Sequence, residues 1–182
     1  MRLRPSGIAL CLTAIAVFVA PSVHAGDVLS RLTSGHQYSL ALGTVVSISD
    51  ATVRFEVETI ISGKTLPSVI NVEIPDEWVV SNAQGLGPGN HAVFSLKKEA
   101  ARYTIAWGFF RVSSLDMGTL EIIESTLPPG DVAALQRYIN SEGTETDFFF
   151  IGTTAYVRRP DGTSKQLYPP TDEPAEGMSS SD

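Results

Sequence analysis

From Tyr38 to Ile48 the chain keeps a two-residue beat: Tyr38, Leu40, Leu42, Thr44, Val46 and Ile48 alternate with Ser39, Ala41, Gly43, Val45 and Ser47. Successive side chains of a strand point to opposite faces, so this period predicts β-structure and argues against an amphipathic helix. Gly43 in mid-strand predicts a bulge or a sharp bend. After a turn at Asp50-Ala51, Val53, Phe55 and Val57 alternate with Arg54, Glu56 and Glu58, the pattern of a strand with one face in water. Ser62-Gly63-Lys64 ends that element, and Ile70, Val72 and Ile74 mark a third strand after Pro67. A fourth is expected at His91 to Leu96 and a fifth at Tyr103 to Val112, with Lys97 to Arg102 as a charged hairpin between them. A short sixth is expected at Thr119 to Ile123, and Pro75 to Asn90 reads as a loop.

The period changes after Pro128-Pro129. Val132, Leu135, Tyr138 and Ile139 fall at helical spacing, which predicts a helix over 131–142 with Asp131 as N-cap and Gly143 as the stop. Asp147 to Ile151 and Thr153 to Arg159 read as strands, the latter turning at Pro160-Asp161-Gly162 and returning through Ser164 to Tyr168 as a further β-hairpin. Residues 169–182 are proline, acid and serine, the composition of a disordered acidic tail. Gly26 to Gln37 is polar, with Val28, Leu29 and Leu32 able to dock as a short turn or helix.

The N-terminus reads as an address. Arg2 and Arg4 precede an apolar run from Ile8 to Ala20, and Ser22-Val23-His24-Ala25 ends on a small residue before Gly26. This predicts a secretory signal peptide over residues 1–25 and a periplasmic or secreted mature domain over 26–168. Cys11 lies in the apolar run, and Leu10 before it is a poor fit to a lipid-attachment site. Removal of the leader would therefore leave a chain without cysteine, and with it no disulfide, thiolate nucleophile or cysteine metal ligand. The 13 basic and 20 acidic residues give a net charge of −7, which loss of Arg2 and Arg4 would take to −9. Nucleic acid and anionic membrane surfaces both call for positive charge, so neither is an expected partner, and no membrane insertion is expected after leader removal.

The strand around Gly43, the strand from Val53 to Ile61 ending in Ser-Gly-Lys, Val69 to Ile74, Ala92-Val93-Phe94-Ser95-Leu96 and Gly108 to Val112 together form an outline that resembles the netrin-module and tissue-inhibitor-of-metalloproteinase superfamily. The likeness covers residues 38–112. It implies a mostly β fold: an OB-like Greek-key barrel of five to six strands, here with one C-terminal helix and an additional β-hairpin. In the inhibitor branch an N-terminal cysteine chelates the target's zinc. Gly26 occupies the expected mature N-terminus and no cysteine follows it, so that chemistry does not carry over.

Candidate chemistry is sparse. His36 and His91 sit at strand entrances, and joining them to Asp76 or Glu77 in a metal site would require distant loops to converge; solvated histidines are the simpler reading. Glu56 and Glu58 share a strand face with Arg54, which reads as a charge-compensated sheet surface rather than an acid–base pair. Asp76-Glu77-Trp78 is the candidate binding surface, an aromatic in a polar loop, against the alternative that Trp78 caps the barrel. Trp107-Gly108-Phe109-Phe110 reads as core. The run Phe148-Phe149-Phe150-Ile151 reads as a strand covered on both faces, or else as a partner-docking edge. Phosphate-binding glycine loops and nucleophile elbows are missing from the sequence, and neither cofactor nor metal is expected. The sequence thus points to a non-enzymatic binding or accessory module that contacts another envelope or extracellular protein. A cell-envelope hydrolase using acidic residues and a carbohydrate- or lipid-binding barrel are the alternatives.

Overall fold

A computed structural model describes residues 25–74, 85–123, 125 and 127–171, with side chains from Leu29 onward. The expected leader up to His24, the Asp76-Glu77-Trp78 triplet and the expected tail from Asp172 lie outside the described residues. Ala25, the last residue of the expected leader, opens helix α1 (Ala25–Thr33), which buries Leu29 and Leu32 as the sequence suggested.

The alternating segments form β1 (Ser39–Ser49), β2 (Thr52–Gly63), β3 (Val69–Glu73), β4 (His91–Glu99) and β5 (Arg102–Val112). Each pairs antiparallel with its neighbour in the order β3-β2-β1-β4-β5, and β3 then pairs parallel with β5 through Val72 opposite Tyr103 and Glu73 opposite Thr104. That last contact closes five strands into a ring, the OB-like Greek-key barrel expected from the sequence. A sixth strand, β6 (Ile122–Ile123), adds to the β5 edge. It is shorter than the expected Thr119–Ile123 because Thr119 and Leu120 donate their amides to the Asp116 carbonyl in a turn, while the Leu120 carbonyl accepts from Gln136.

The alternation sorts side chains into two cores. Inside the barrel lie Val53, Phe55, Ile70, Val72, Phe94, Leu96, Ile105 and Phe109. Phe94 packs between Phe55, at a centroid distance of 4.6 Å, and Phe109, at 5.4 Å. Gly43 is the point of closest strand approach: a Cβ there would overlap the Glu56 carbonyl oxygen and lie 2.8 Å from Phe55 Cζ. The β1–β2 register shifts between Leu42 and Gly43, so the glycine marks a bulge as expected.

Leu40 and Leu42 of β1 face outward instead, into a second core with Val93, Val112 and Leu32. That layer is covered by helix α2 (Pro129–Asn140), which contributes Leu135, Tyr138 and Ile139. Asp131 is not the N-cap. Pro128 holds that position with φ −55° and ψ 144°, and Pro129 supplies the pre-set first helical residue, so Asp131 falls inside the first turn, where it is buried. At the other end the Gly143 amide reaches back to the Tyr138 carbonyl at 2.9 Å with φ +73°, as a terminating glycine should.

A separate sheet holds β7 (Phe148–Ile151), β8 (Thr154–Arg158) and β9 (Ser164–Tyr168) in that order. Coverage of β7 on both faces does not occur. Phe148 and Phe150 lie opposite the buried Val157 and Ala155, while Phe149 stacks on Tyr156 at 5.1 Å on the other face and Ile151 is 65% exposed. The reason is position: β7 is the edge of a sheet that packs on α2 with one side. Among the described residues no helix is long and apolar enough to cross a membrane.

Candidate functional site

Polar groups collect at the mouth of the barrel where the β1–β2 turn meets the closing strands. Asp50 carries that turn in the left-handed region, with φ 51°, which a short polar side chain tolerates better than most. The Ile74 amide donates to the Ala51 carbonyl at 2.7 Å and fastens the end of β3 to the turn. With β3 held there, Thr52 lies opposite Glu73, and Glu73 lies opposite Thr104. Their sequence neighbours Val53, Val72, Tyr103 and Ile105 face the barrel interior, so the three polar residues form a row on the outer surface.

Arg102 precedes Thr104 by two residues and shares its face. Its Nη1 lies 3.4 Å from Glu73 Oε1, in a pair whose side chains are 73% and 46% exposed. Asp50, Ala51, Thr52, Glu73, Ile74, Arg102 and Thr104 line an open recess of about 490 Å³. Thr104 Oγ1 is shielded from solvent and makes no hydrogen bond among the described residues. On the β4–β5 side of the mouth, Lys98 Nζ sits 5.3 Å from the rings of both Tyr38 and Tyr103. Those phenols, Tyr103 more than Tyr38, hold the exposed Lys98 ammonium above its ordinary range.

The candidate triplet Asp76-Glu77-Trp78 lies outside the described residues. The described chain stops at Ile74, on the rim of the recess, and resumes at Gly85. Elsewhere the sequence candidates stay apart. His36 is exposed before β1, whereas His91 is half-buried and its Nδ1 lies 3.1 Å from Thr44 Oγ1. Arg54, Glu56 and Glu58 are all exposed on β2, as a solvated sheet face requires. Among the described residues no group of three or more His, Cys, Asp or Glu could hold a metal ion. Phe109 is buried in the barrel, while Trp107 packs half-buried against the outer core with Arg31 stacked 4.4 Å from its ring. It reaches that layer because Ile105 pairs with Leu96 and Gly108 with Ser95, which leaves Ala106 and Trp107 bulged from the ladder.

The row Thr52, Glu73 and Thr104 escaped sequence reasoning. It is assembled by the parallel β3–β5 contact, and no local pattern in either strand announces that contact. Chemically the recess offers one exchangeable ion pair, a second carboxylate and two hydroxyls, a set suited to recognising a polar group. Searches against protein-family models and against curated proteins give no match to this chain.

Proposed function

We propose that the chain is exported and acts outside the cytoplasm as a non-enzymatic binding or accessory module, docking on another envelope or extracellular protein through the mouth of its barrel. The observation that carries this reading is the distribution of polar groups. The barrel interior is filled by Phe55, Phe94 and Phe109, one flank is covered by α1 and α2, and the mouth gathers Asp50, Thr52, Glu73, Arg102 and Thr104 around an open recess. The described chain ends at Ile74 on the rim of that recess, and Asp76, Glu77 and Trp78, the candidate contact residues read from the sequence, follow it in the chain. The exported location rests on the leader-like N-terminus. Kinship with netrin modules is part of the same proposal and enters as architecture alone.

The test is affinity capture from the envelope fraction of the source cell with the wild-type protein and with Trp78→Ala. The variant should lose capture of the partner while its thermal unfolding stays within about 1–2 °C of wild type, as expected of an exposed contact residue. A large fall in melting temperature would make Trp78 a core residue. Recovery of no protein partner, together with turnover of a wall or glycan substrate, would overturn the reading.

A further inference from the structure

We infer that the barrel-mouth recess receives a primary ammonium group, the side chain of a lysine on the docking partner; this rests on the reading of the mouth as a docking surface. Thr52, Glu73 and Thr104 occupy register-matched positions on three adjacent strands, and adjacent strands lie about 4.8 Å apart. The result is a carboxylate flanked on both sides by hydroxyls. An ammonium has three donors and no acceptor, so a carboxylate between two hydroxyl oxygens matches its needs. Thr104 Oγ1 is shielded from water and has no hydrogen-bond partner among the described residues, a condition that folded proteins rarely leave uncorrected and that a ligand donor would relieve.

Charge points the same way. Asp50 and Glu73 set two carboxylates against the single guanidinium of Arg102, and Asp50 has no ion-pair partner among the described residues. The recess lining itself is therefore net negative, with Lys98 outside it on the β4–β5 side of the mouth. Arg102 holds Glu73 by one long contact in a largely exposed pair, an interaction that contributes little and is readily exchanged. Arg102 acts as an internal placeholder: it occupies the carboxylate until the partner's lysine displaces it. A compact ammonium fits a three-oxygen cradle better than a planar guanidinium, whose fork is matched to a bidentate carboxylate.

The experiment is a titration of the isotopically labelled protein with Nα-acetyl-lysine amide, followed by amide chemical shifts, with the Nε-acetylated compound as the uncharged comparison. Saturable shifts are expected at Thr52, Glu73 and Thr104 with a Kd of about 1–10 mM, the range of a small charged fragment, and the Nε-acetylated compound should leave these amides unmoved. Glu73→Gln should weaken binding about tenfold or more and Thr104→Val about threefold, whereas Arg102→Ala should tighten it by removing the competitor. The last variant keeps the idea testable should Glu73→Gln fold poorly. Equal response to the acetylated compound, or weaker binding in Arg102→Ala, would overturn the inference. Lysine binding with partner capture unaffected in Glu73→Gln would support the ammonium site and sink the docking reading. Loss of capture in Glu73→Gln without any response to the lysine compound would do the reverse.

Discussion

Gly43→Ala is the sharpest test of the barrel geometry. The backbone at this position is not left-handed, so conformational freedom is not what the glycine supplies; it supplies space. A methyl group there would overlap the Glu56 carbonyl oxygen, stand 2.8 Å from Phe55 Cζ and lie 3.0 Å from the Glu56 carbonyl carbon. Two of those atoms are backbone of the paired strand, and the third belongs to a ring already packed against Phe94, so no flexible chain end can yield. Overpacking of a filled core costs about 1–3 kcal/mol, and a backbone obstacle places this case at the upper end. Replacing glycine by alanine in a strand returns about 0.5–1 kcal/mol of conformational entropy, leaving a net loss of about 2 kcal/mol or more. For a domain of this size that is a fall of roughly 4–8 °C in melting temperature. Guanidinium unfolding followed by tryptophan fluorescence should show a lower midpoint with an unchanged slope. Gly118→Ala serves as the control, since its added carbon would meet Asp116 Oδ1 at an ordinary 3.5 Å. A Gly43→Ala loss below about 1 kcal/mol, or one no larger than the control's, would refute the close β1–β2 approach.

Three further outcomes follow from the outer layer. Glu145 is bound by the Arg137 guanidinium, which holds its carboxyl below the ordinary value of 4.5, so the pair's contribution is present above that value and is lost as pH falls through the lowered one. Glu145→Gln should cost about 1 kcal/mol at neutral pH, a figure kept small because Arg137 is partly exposed, and nothing in strong acid by denaturant titration. Asp131 is the opposite case: burial raises its carboxyl above the ordinary 3.8, so the native state favours the protonated form and loses stability as pH rises through the raised value. Asp131→Asn should therefore be the more stable protein at pH 7, with the advantage gone below about pH 3.8; a variant less stable at pH 7 would show that the first turn of the helix needs the charge. Gln136 accepts from the Ile122 amide at 2.6 Å and donates to the Leu120 carbonyl, so Gln136→Ala should cost about 1–2 kcal/mol and speed hydrogen exchange at Ile122. Unchanged exchange there would show that β6 holds without it.

The barrel was legible because its strands bury on a strict two-residue period, and β1 shows how far that goes. Leu40 and Leu42 against Ala41 and Val45 announce a strand, although nothing in the alternation says that both faces are covered. The charged face of β2 was legible for the opposite reason, since Arg54, Glu56 and Glu58 have no reason to leave water. Errors arose where context overrode composition. Asp131 resembles an N-cap, but two prolines before it fix the helix start earlier. Phe148 to Ile151 looks doubly buried by hydropathy, yet an edge strand exposes whatever it carries on its free side. The candidate site was less legible. Asp76-Glu77-Trp78 lies outside the described residues, while Glu73 and Arg102, separated by a long connection, meet through a closure that a single sequence does not encode locally.

That closure also accounts for where polar groups gather. A five-stranded ring must join β3 to β5 in parallel, and here two residue pairs make the join, at the end of one strand and the start of the other. The side chains at the seam divide by parity: Val72 and Tyr103 go to the interior, Glu73 and Thr104 to the surface. Helices α1 and α2 lie over the far flank, against β1, β4 and β5, and leave this seam at the barrel's edge. Polar residues on the seam therefore meet the β1–β2 turn, and among the described residues they do so without the apolar cover that buries Leu40 and Leu42. The geometry that closes the barrel is thus the same geometry that sets a carboxylate between two hydroxyls at its rim, which is why Glu73→Gln should alter recognition while leaving the aromatic interior, and with it most of the stability, in place.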